Sequence, residues 1–525
     1  MRLAPRTLLA ALPLLTPLSA QTQLLAEGDV VPGLGPVDSF GFPAVNDAGG
    51  WGASVWSGST SAIVVDGAVV LAKGTVPLGA TLPYDSLNEL ELSADGRAFW
   101  LGAVTSPLFG GFPVAAVGVD DGLLRGVEDA CLAPGLPPGT VYQDFDDIAL
   151  APNDALLVLC QLQSPGGSYR EALVRLDVDA AGGVTQETLV LIEGGALAGE
   201  PDPIESCGSY DGASLNAAGS VSTIVDFGPP GNRGVYLDGA LVVKTGDLAP
   251  IGTKAWSSFS RTRVNAGGTL AFRGTLLPTG TAILGGGSVV AHVGTPLAGA
   301  GGQVVETIYA DPFELADDGT VLWHARFGPP FLEALCIDDE ILVRVGQTFG
   351  GQTISDLKSA ARSPDGRHVA LIAWLDASFG EALYLIEPST VTVLAGCSPG
   401  PASLALTGPP PAAGGSLSLA LDGGQAPSVF PFLALANAPA AGAPPCGVLV
   451  PGVGELLIDL AAPNPVLVVA TEQWSGAPIA LSIPLPTDAY WTPVYAQGLF
   501  FDPAGLAPGE PLRLTNGLAV TPTGG

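Results

Sequence analysis

Positive charge is what this sequence has least of. Lys and Arg number 19 in 525 residues against 50 Asp and Glu, a formal charge of −31. Such a surface repels phosphate backbones and anionic headgroups, which excludes nucleic acid as an expected partner. The acids are spread along the chain without a terminal run, so the excess reads as solubility; attraction for cations such as calcium is the functional alternative. Histidine is nearly absent, with His292, His324 and His368 far apart. Zinc-spaced histidine pairs, H-E-x-x-H and a Ser/His/Asp order with a nucleophile elbow are all missing, and each histidine reads as a satisfied structural side chain. No apolar run of 18 residues or more follows the N-terminal segment, so no membrane span is expected. Gly285-Gly286-Gly287 has no following Lys-Ser/Thr and reads as a hairpin turn, not a phosphate loop.

What the chain does have is apolar material and turns. Hydrophobic residues make up 47%, with 72 Gly and 48 Pro. That is too apolar for disorder and too rich in breakers for helices, so the expectation is many short strands joined by turns. Residues 1–20 read as a signal peptide. Arg2 and Arg6 precede the apolar stretch Thr7 to Leu18, and Ser19-Ala20 offers a cleavage site before Gln21. The expected location is therefore secreted or on the cell surface. Export makes the six cysteines disulfide candidates. Cys397 and Cys446 share the C-terminal region and are expected to pair, whereas Cys131, Cys160, Cys207 and Cys336 allow three connectivities.

Between residues 24 and 400 one pattern recurs. An apolar strand ends in glycine, as in Leu241-Val242-Val243-Lys244-Thr245-Gly246 and Ile341-Leu342-Val343-Arg344-Val345-Gly346. About twenty residues later comes a turn followed by another strand, best seen in Asn265-Ala266-Gly267-Gly268-Thr269-Leu270-Ala271-Phe272. Further copies pair Asn46 with Gly49, Ser93 with Gly96, Asn216 with Gly219, Ala316 with Gly319 and Ser363 with Gly366; Ala151 to Asp154 is degenerate. Asn, Asp or Ser at the first position can bond its own backbone two residues on, and Gly at the fourth tolerates positive φ. Seven copies at spacings of 47 to 65 residues match the blade of a β-propeller. The surplus strands at 24–28 and 391–396 are expected to complete one blade between them. The expectation is thus an all-β chain: signal peptide 1–20, seven-bladed propeller 21–396, and an antiparallel β-sandwich at 397–525. Within the last segment Ser416 to Leu421, Glu455 to Leu460 and Ile479 to Ile483 alternate wholly or in part with period two.

The Asn265 to Phe272 copy resembles the N-x-x-G-x-x-A-F repeat of exported bacterial choice-of-anchor proteins, over residues 24–396. Ser363-Pro364-Asp365-Gly366 is similar to the turn of TolB-type propeller repeats. The C-terminal segment resembles the β domain appended to large secreted proteins of environmental bacteria, through Gly396-Cys397, Cys446-Gly447, Ile483-Pro484, Tyr495-Ala496-Gln497, Asp502-Pro503 and Thr515-Asn516-Gly517-Leu518. These resemblances imply a surface-associated repeat protein with a sorting, anchoring or adhesion module, and no catalytic residue to carry over.

Asp144, Asp146 and Asp147 with Asp154 form the densest acidic group, and Asp177 with Asp179 a second. They are candidate calcium ligands or an acid/base pair, but lack the D-x-D-x-D-G framework, so solvated loop carboxylates are expected. Ser93 to Trp100 resembles a sialidase Asp-box, but its glycine falls one residue early and arginines are scarce. Trp474, Tyr490, Trp491 and Tyr495 read as sandwich core, with a sugar-stacking platform as the alternative. No cofactor is expected. The leading functional reading is a non-enzymatic scaffold binding an extracellular protein or polysaccharide. The others are a carbohydrate-active propeller enzyme with its site at the channel mouth, and a calcium-dependent adhesin. Convergent Asp/Glu with Arg, Tyr or His at that mouth would favour the enzyme, and small apolar linings the scaffold.

Overall fold

In the computed structural model the chain divides into two compact units, residues 21–386, and residues 387–525 with residues 1–20. The structure describes residues 21–106, 112–208, 212–228, 231–297, 303–328, 332–349, 352–376, 380–388, 391–394, 403–406, 416–422, 430–436, 448–450, 454–458, 466–469, 478–484, 494–501 and 512–520. The expected signal peptide, Cys397, Cys446, Trp474, Tyr490 and Trp491 lie outside these residues. Among the described residues no helix is long and apolar enough to cross a membrane.

The protein is all-β. Residues 21–386 form seven antiparallel sheets of four or five strands. In chain order they are sheet 1 (39–72), sheet 2 (84–126), sheet 3 (141–192), sheet 4 (204–244), sheet 5 (255–292), sheet 6 (305–344) and sheet 7 (348–386). Each runs up and down through hairpins, as the alternation of apolar strands with Asn, Asp and Gly turns requires. The first strand of each sheet lies beside the first strand of the next, and that of sheet 7 returns to that of sheet 1. The second strands are apolar on both faces, as in the fully buried Val369–Ala373, because each sheet is covered on both sides by neighbours. Trp100, Trp256 and Trp323 are fully buried between sheets.

Sheet 7 is completed by the start of the chain. Gln21–Ala26 pairs antiparallel with Glu381–Ile386, Gln21 opposite Ile386 and Ala26 opposite Ala382. This covers an edge that would otherwise expose a row of unpaired amides. The expectation that 391–396 shares this task is corrected. Once Gln21–Ala26 occupies the edge no free ladder remains there, and Val391–Leu394 pairs with Leu512–Val520 in the other unit. The boundary accordingly falls at residue 386 and not at 396.

Outer strands lead through a residue at positive φ (Gly28, Gly74, Glu128, Gly194, Gly246 and Gly294) into a loop whose third residue is an apolar plug. Val31, Pro77, Cys131, Leu197, Ala249 and Leu297 hold this place, and all are buried. This accounts for the cysteines. Cys131, Cys160, Cys207 and Cys336 are all free and buried, so none of the three expected connectivities exists. Cys131 fills a site that valine or leucine fills elsewhere, and Cys160 and Cys336 sit in strand cores; each acts as a small apolar side chain. Burial pushes all four thiols up, leaving no thiolate at neutral pH. A thiol reagent should therefore find no more than Cys397 and Cys446 in the native protein, and four further thiols after unfolding. Labelling of Cys131 or Cys160 without unfolding would contradict this burial.

In residues 387–525 a five-stranded sheet and a three-stranded sheet share one core. Leu404, Leu417, Leu419 and Leu421 of the smaller sheet pack with Leu433, Ala496, Phe500 and Leu518 of the larger. The motif residues Gln497, Thr515 and Asn516 are staples. Gln497 Nε2 donates to the Thr515 carbonyl at 2.8 Å and its Oε1 accepts from Leu457 N at 2.9 Å. Asn516 bonds both backbone groups of Leu404, at 2.8 and 2.9 Å, tying one sheet to the other.

Candidate functional site

The repeat turns all join the first strand of a sheet to its second. Gly49, Gly96, Gly219, Gly268, Gly319 and Gly366 have positive φ there, as does Asp154 in the degenerate copy. The polar first residue does more than the expected local bond. Asn46, Asn216 and Asn265 accept through Oδ1 from the amide four residues on, each at 2.8 Å. Ser93 and Ser363 accept similarly through Oγ, from Arg97 N at 2.9 Å and His368 N at 3.0 Å. The asparagine Nδ2 then reaches the next repeat: Asn46 to Ser93 O at 3.0 Å, Asn216 to Asn265 O at 2.9 Å and Asn265 to Ala316 O at 3.0 Å. Other groups close the remaining steps. Arg97 bonds Asp154, and Asn153 Nδ2 donates to Ala217 O at 3.4 Å. Asp317 N donates to Pro364 O at 2.8 Å, and Asp365 N to Asp47 Oδ1 at 2.8 Å. The seven turns are thus hydrogen-bonded in a closed cycle.

The turns fix the register of the first strands, and with it two layers of side chains facing the space those strands enclose. Side chains alternate along a strand, so the residues two and four before a turn point the same way, except at Phe42 and Pro312, which bulges bring to the same cavity. Two before are Ala44, Glu91, Ala149, Ser214, Arg263, Glu314 and Ala361. Four before are Phe42, Glu89, Asp147, Gly212, Arg261, Pro312 and Ser359, lining a cavity of about 370 Å³. That volume lies within the range of small-molecule sites. In these two layers sheets 2, 3, 5 and 6 supply the charged groups, whereas sheets 1 and 7 supply Ala44, Phe42, Ala361 and Ser359; Arg362 of sheet 7, one residue before its turn, also lines the cavity.

The charged arc is internally arranged. Arg263 forms a fork with Glu314, Nε to Oε2 at 2.9 Å and Nη2 to Oε1 at 3.2 Å. Arg261 pairs with Asp311, and Arg362 bonds Thr320 O at 3.1 Å and Oγ1 at 2.8 Å. Glu89 and Asp147 meet carboxyl to carboxyl. Burial, with Asp147 beside it, pushes Glu89 well above the usual carboxylate range. Burial raises Asp147 as well, with the hydrogen bond to Glu89 and the charges of Arg263 and Arg261 pulling it back down, so the pair shares a proton. Burial and Glu314 push Glu91 up to about 8, so it is mainly a neutral acid at pH 7. It makes no hydrogen bond among the described residues, unlike Glu89, and faces the cavity. On the opposite arc Phe42 is 45% exposed and held at φ 35 in a bulge between Gly41 and Ala44. A bulky residue in the left-handed region is strained, and no burial compensates for it here.

The structure does not bring the calcium candidates together. Register shifts between Tyr142 and Asp144 and between Phe145 and Asp147 send neighbouring aspartates to different sides of the strand. Asp147 faces Glu89, and Asp146 is pushed up to about 6 by burial with Asp144 and Glu171 nearby. Asp154 is bound to Arg97 in the turn at the strand's far end. Asp177 pairs with Arg175 at 2.7 Å, and Asp179 accepts from Ala181 N and Gly183 N in its own turn. Among the described residues no group of three His, Cys, Asp or Glu side chains is placed to hold a metal. Another recurrent device was missed in the sequence. Asp66, Asp120, Asp238 and Asp338, all at positive φ in the hairpin between third and fourth strands, accept from the first amide of the second strand at 2.8 to 3.0 Å. The signal was present as an aspartate two positions before the outer strands of sheets 1, 2, 4 and 6.

Neither a family model nor a curated protein matches the chain. Among solved structures it is similar to a gluconolactonase from Xanthomonas campestris (13% identity, 70% of this chain and 89% of that one, TM-score 0.26). It is also similar to the polysaccharide lyase Uly1 (10%, 69% and 91%, TM-score 0.34) and to the Trypanosoma rangeli sialidase (11%, 97% and 94%, TM-score 0.26). Likenesses this distant carry no functional weight for this chain.

Proposed function

We propose that this is an exported, glycan-binding β-propeller of seven blades, with a C-terminal β-sandwich that sorts it or holds it at the cell exterior. The seven sheets with neighbouring first strands and the N-terminal closing strand support the ring. The resemblance to N-x-x-G-x-x-A-F repeat proteins supports export and surface association. The observation that carries the ligand class is the two-sided cavity, with the strained, exposed Phe42 opposite an arc of neutral and paired carboxyls. A sugar ring has an apolar face for an aromatic and hydroxyls for such an arc. The net negative charge disfavours polyanions, so the expected ligand is a neutral polysaccharide.

The second reading, hydrolysis, is favoured by one observation: Glu91 is an uncommitted carboxyl that stays protonated near neutral pH, as a general acid must. The hydrogen-bonded Glu89–Asp147 pair is too close to flank a glycosidic bond by itself. Affinity electrophoresis against a panel of neutral polysaccharides, with reducing ends assayed in parallel, separates the readings. Binding that weakens about tenfold in Phe42→Ala, or about 1.4 kcal/mol, without new reducing ends supports the binding protein. Reducing ends released by the wild type and lost in Glu91→Gln support the hydrolase. Retention of no neutral polysaccharide would sink both.

A further inference from the structure

We infer that the buried ion pair Lys358–Glu381 is a positioning device that holds the backbone of Phe40, and through it the strained bulge that carries Phe42 to the cavity. A bulky residue at φ 35 persists only where its surroundings over-determine it, and Phe42 is too exposed to be held by its own burial. The restraint lies two residues earlier. Ser39–Val45 is the edge strand of sheet 1, so alternate residues turn an amide and a carbonyl away from the ladder. Phe40, itself fully buried, is one of these, and side chains of sheet 7 bond both groups. Glu381 Oε2 accepts from Phe40 N at 2.8 Å, and Lys358 Nζ donates to Phe40 O. The two side chains are joined to each other, with Lys358 Nζ 2.8 and 2.9 Å from the Glu381 oxygens. The Trp374 ring bounds the ammonium, its centroid 5.9 Å away. Residue 41 is confined as well, since a Cβ there would stand 2.9 Å from Ser54 Oγ and 3.0 Å from Trp56. The ladder with Trp51–Ser57 resumes only at Ala44, which leaves Phe42 and Pro43 to project.

Glu381 also ties in the strand that closes the ring. Glu27 N donates to Glu381 O at 2.9 Å, and Glu381 N donates to Glu27 Oε2 at 3.3 Å. One residue thus links the closing strand, sheet 7 and the bulge of sheet 1. Stability alone does not call for charges here. Glu381 is 2% exposed, and taking its carboxylate out of water offsets much of the attraction to Lys358, so an apolar pair of similar volume would fill the seam as well. What an apolar pair lacks is an acceptor for Phe40 N and a donor for Phe40 O. The ion pair is explained by what it bonds, the backbone of the residue two before Phe42. As a contribution to ligand binding this rests on the cavity reading above; the hold on Phe42 does not.

Fluorine NMR of the full chain carrying 4-fluorophenylalanine at its 18 phenylalanines tests the hold without any ligand. The Phe42 line is the one absent from Phe42→Leu. The double variant Lys358→Met/Glu381→Leu removes both charges at once and leaves neither buried alone. Its urea midpoint should stay near that of the wild type, while the Phe42 line moves toward its position in the urea-unfolded chain. Lys358→Met, which loses the bond to Phe40 O, should move that line the same way, and Lys358→Arg, which keeps a donor, should leave it in place. An unmoved Phe42 line in the folded double variant overturns the proposal. Should that variant not fold, an unmoved line in Lys358→Met overturns it equally. The binding arm uses the neutral polysaccharide that the wild type retains in affinity electrophoresis. The double variant should weaken retention about tenfold, the loss expected of Phe42→Ala, and adding Phe42→Ala to it should cost nothing further. Losses that add would show that the pair acts other than through Phe42 and would overturn its positioning role. Retention of no polysaccharide sinks the cavity reading and leaves the Phe42 line to decide the hold.

Discussion

Asn265→Ala should cost the N-terminal unit about 2–4 kcal/mol of unfolding free energy, read by urea titration of tryptophan fluorescence. Asn265 is 5% exposed and its side chain serves two backbones. Truncation leaves Thr269 N without its acceptor, an orphaned group costing about 1–3 kcal/mol, and takes from Ala316 O one of its two donors, Gly319 N being the other, at a cost of about 1 kcal/mol. Asn265→Ser discriminates between the two roles. A serine oxygen can still accept from the amide across the turn, as Ser93 and Ser363 do, but it cannot reach the next repeat. Its cost should fall near half that of alanine. An alanine variant within about 0.5 kcal/mol of wild type, the range of neutral surface changes, would show that the cycle of turns contributes nothing.

The second large effect is on pH dependence. Glu91 is pushed from an ordinary 4.5 up to about 8, with burial the main cause and Glu314 adding to it. A raised carboxyl means that the folded state keeps a proton which the unfolded chain releases. Stability from this group is full below pH 4.5 and is lost as pH rises through about 8. The shift corresponds to about 5 kcal/mol as an upper bound. Glu89 and Asp146 shift in the same direction, burial again the main cause. The wild type should therefore lose stability from pH 5 to pH 9. Glu91→Gln, which cannot ionise, should match it at pH 5 and exceed it at pH 9. A glutamine variant less stable than wild type at pH 9 would mean that Glu91 is ionised in the fold and paired with Arg263.

The architecture was legible where the physics is local. A turn needs Asn or Ser and then Gly wherever it occurs, so the motif recurs visibly along the chain. The cavity was not legible, because its lining has no common residue type. The positions two before the turns read Ala, Glu, Ala, Ser, Arg, Glu and Ala, and only alignment on the turns shows that they form one layer. The Asp144–Asp147 group, expected as solvated loop carboxylates, lies instead in the strand Val141–Leu150 with Asp147 buried. Proximity in sequence ceases to mean proximity in space once two bulges turn successive side chains apart.

By itself the sequence determined the all-β character, the repeat and its turn chemistry, since these depend on the φ preferences and hydrogen-bonding reach of a few adjacent residues. Tertiary structure alone decided which strand closes sheet 7, that four cysteines pack as apolar side chains, and which acids share a cavity. Those outcomes depend on which distant edges and faces meet, and that follows from packing seven sheets side by side, a geometry that no single segment encodes.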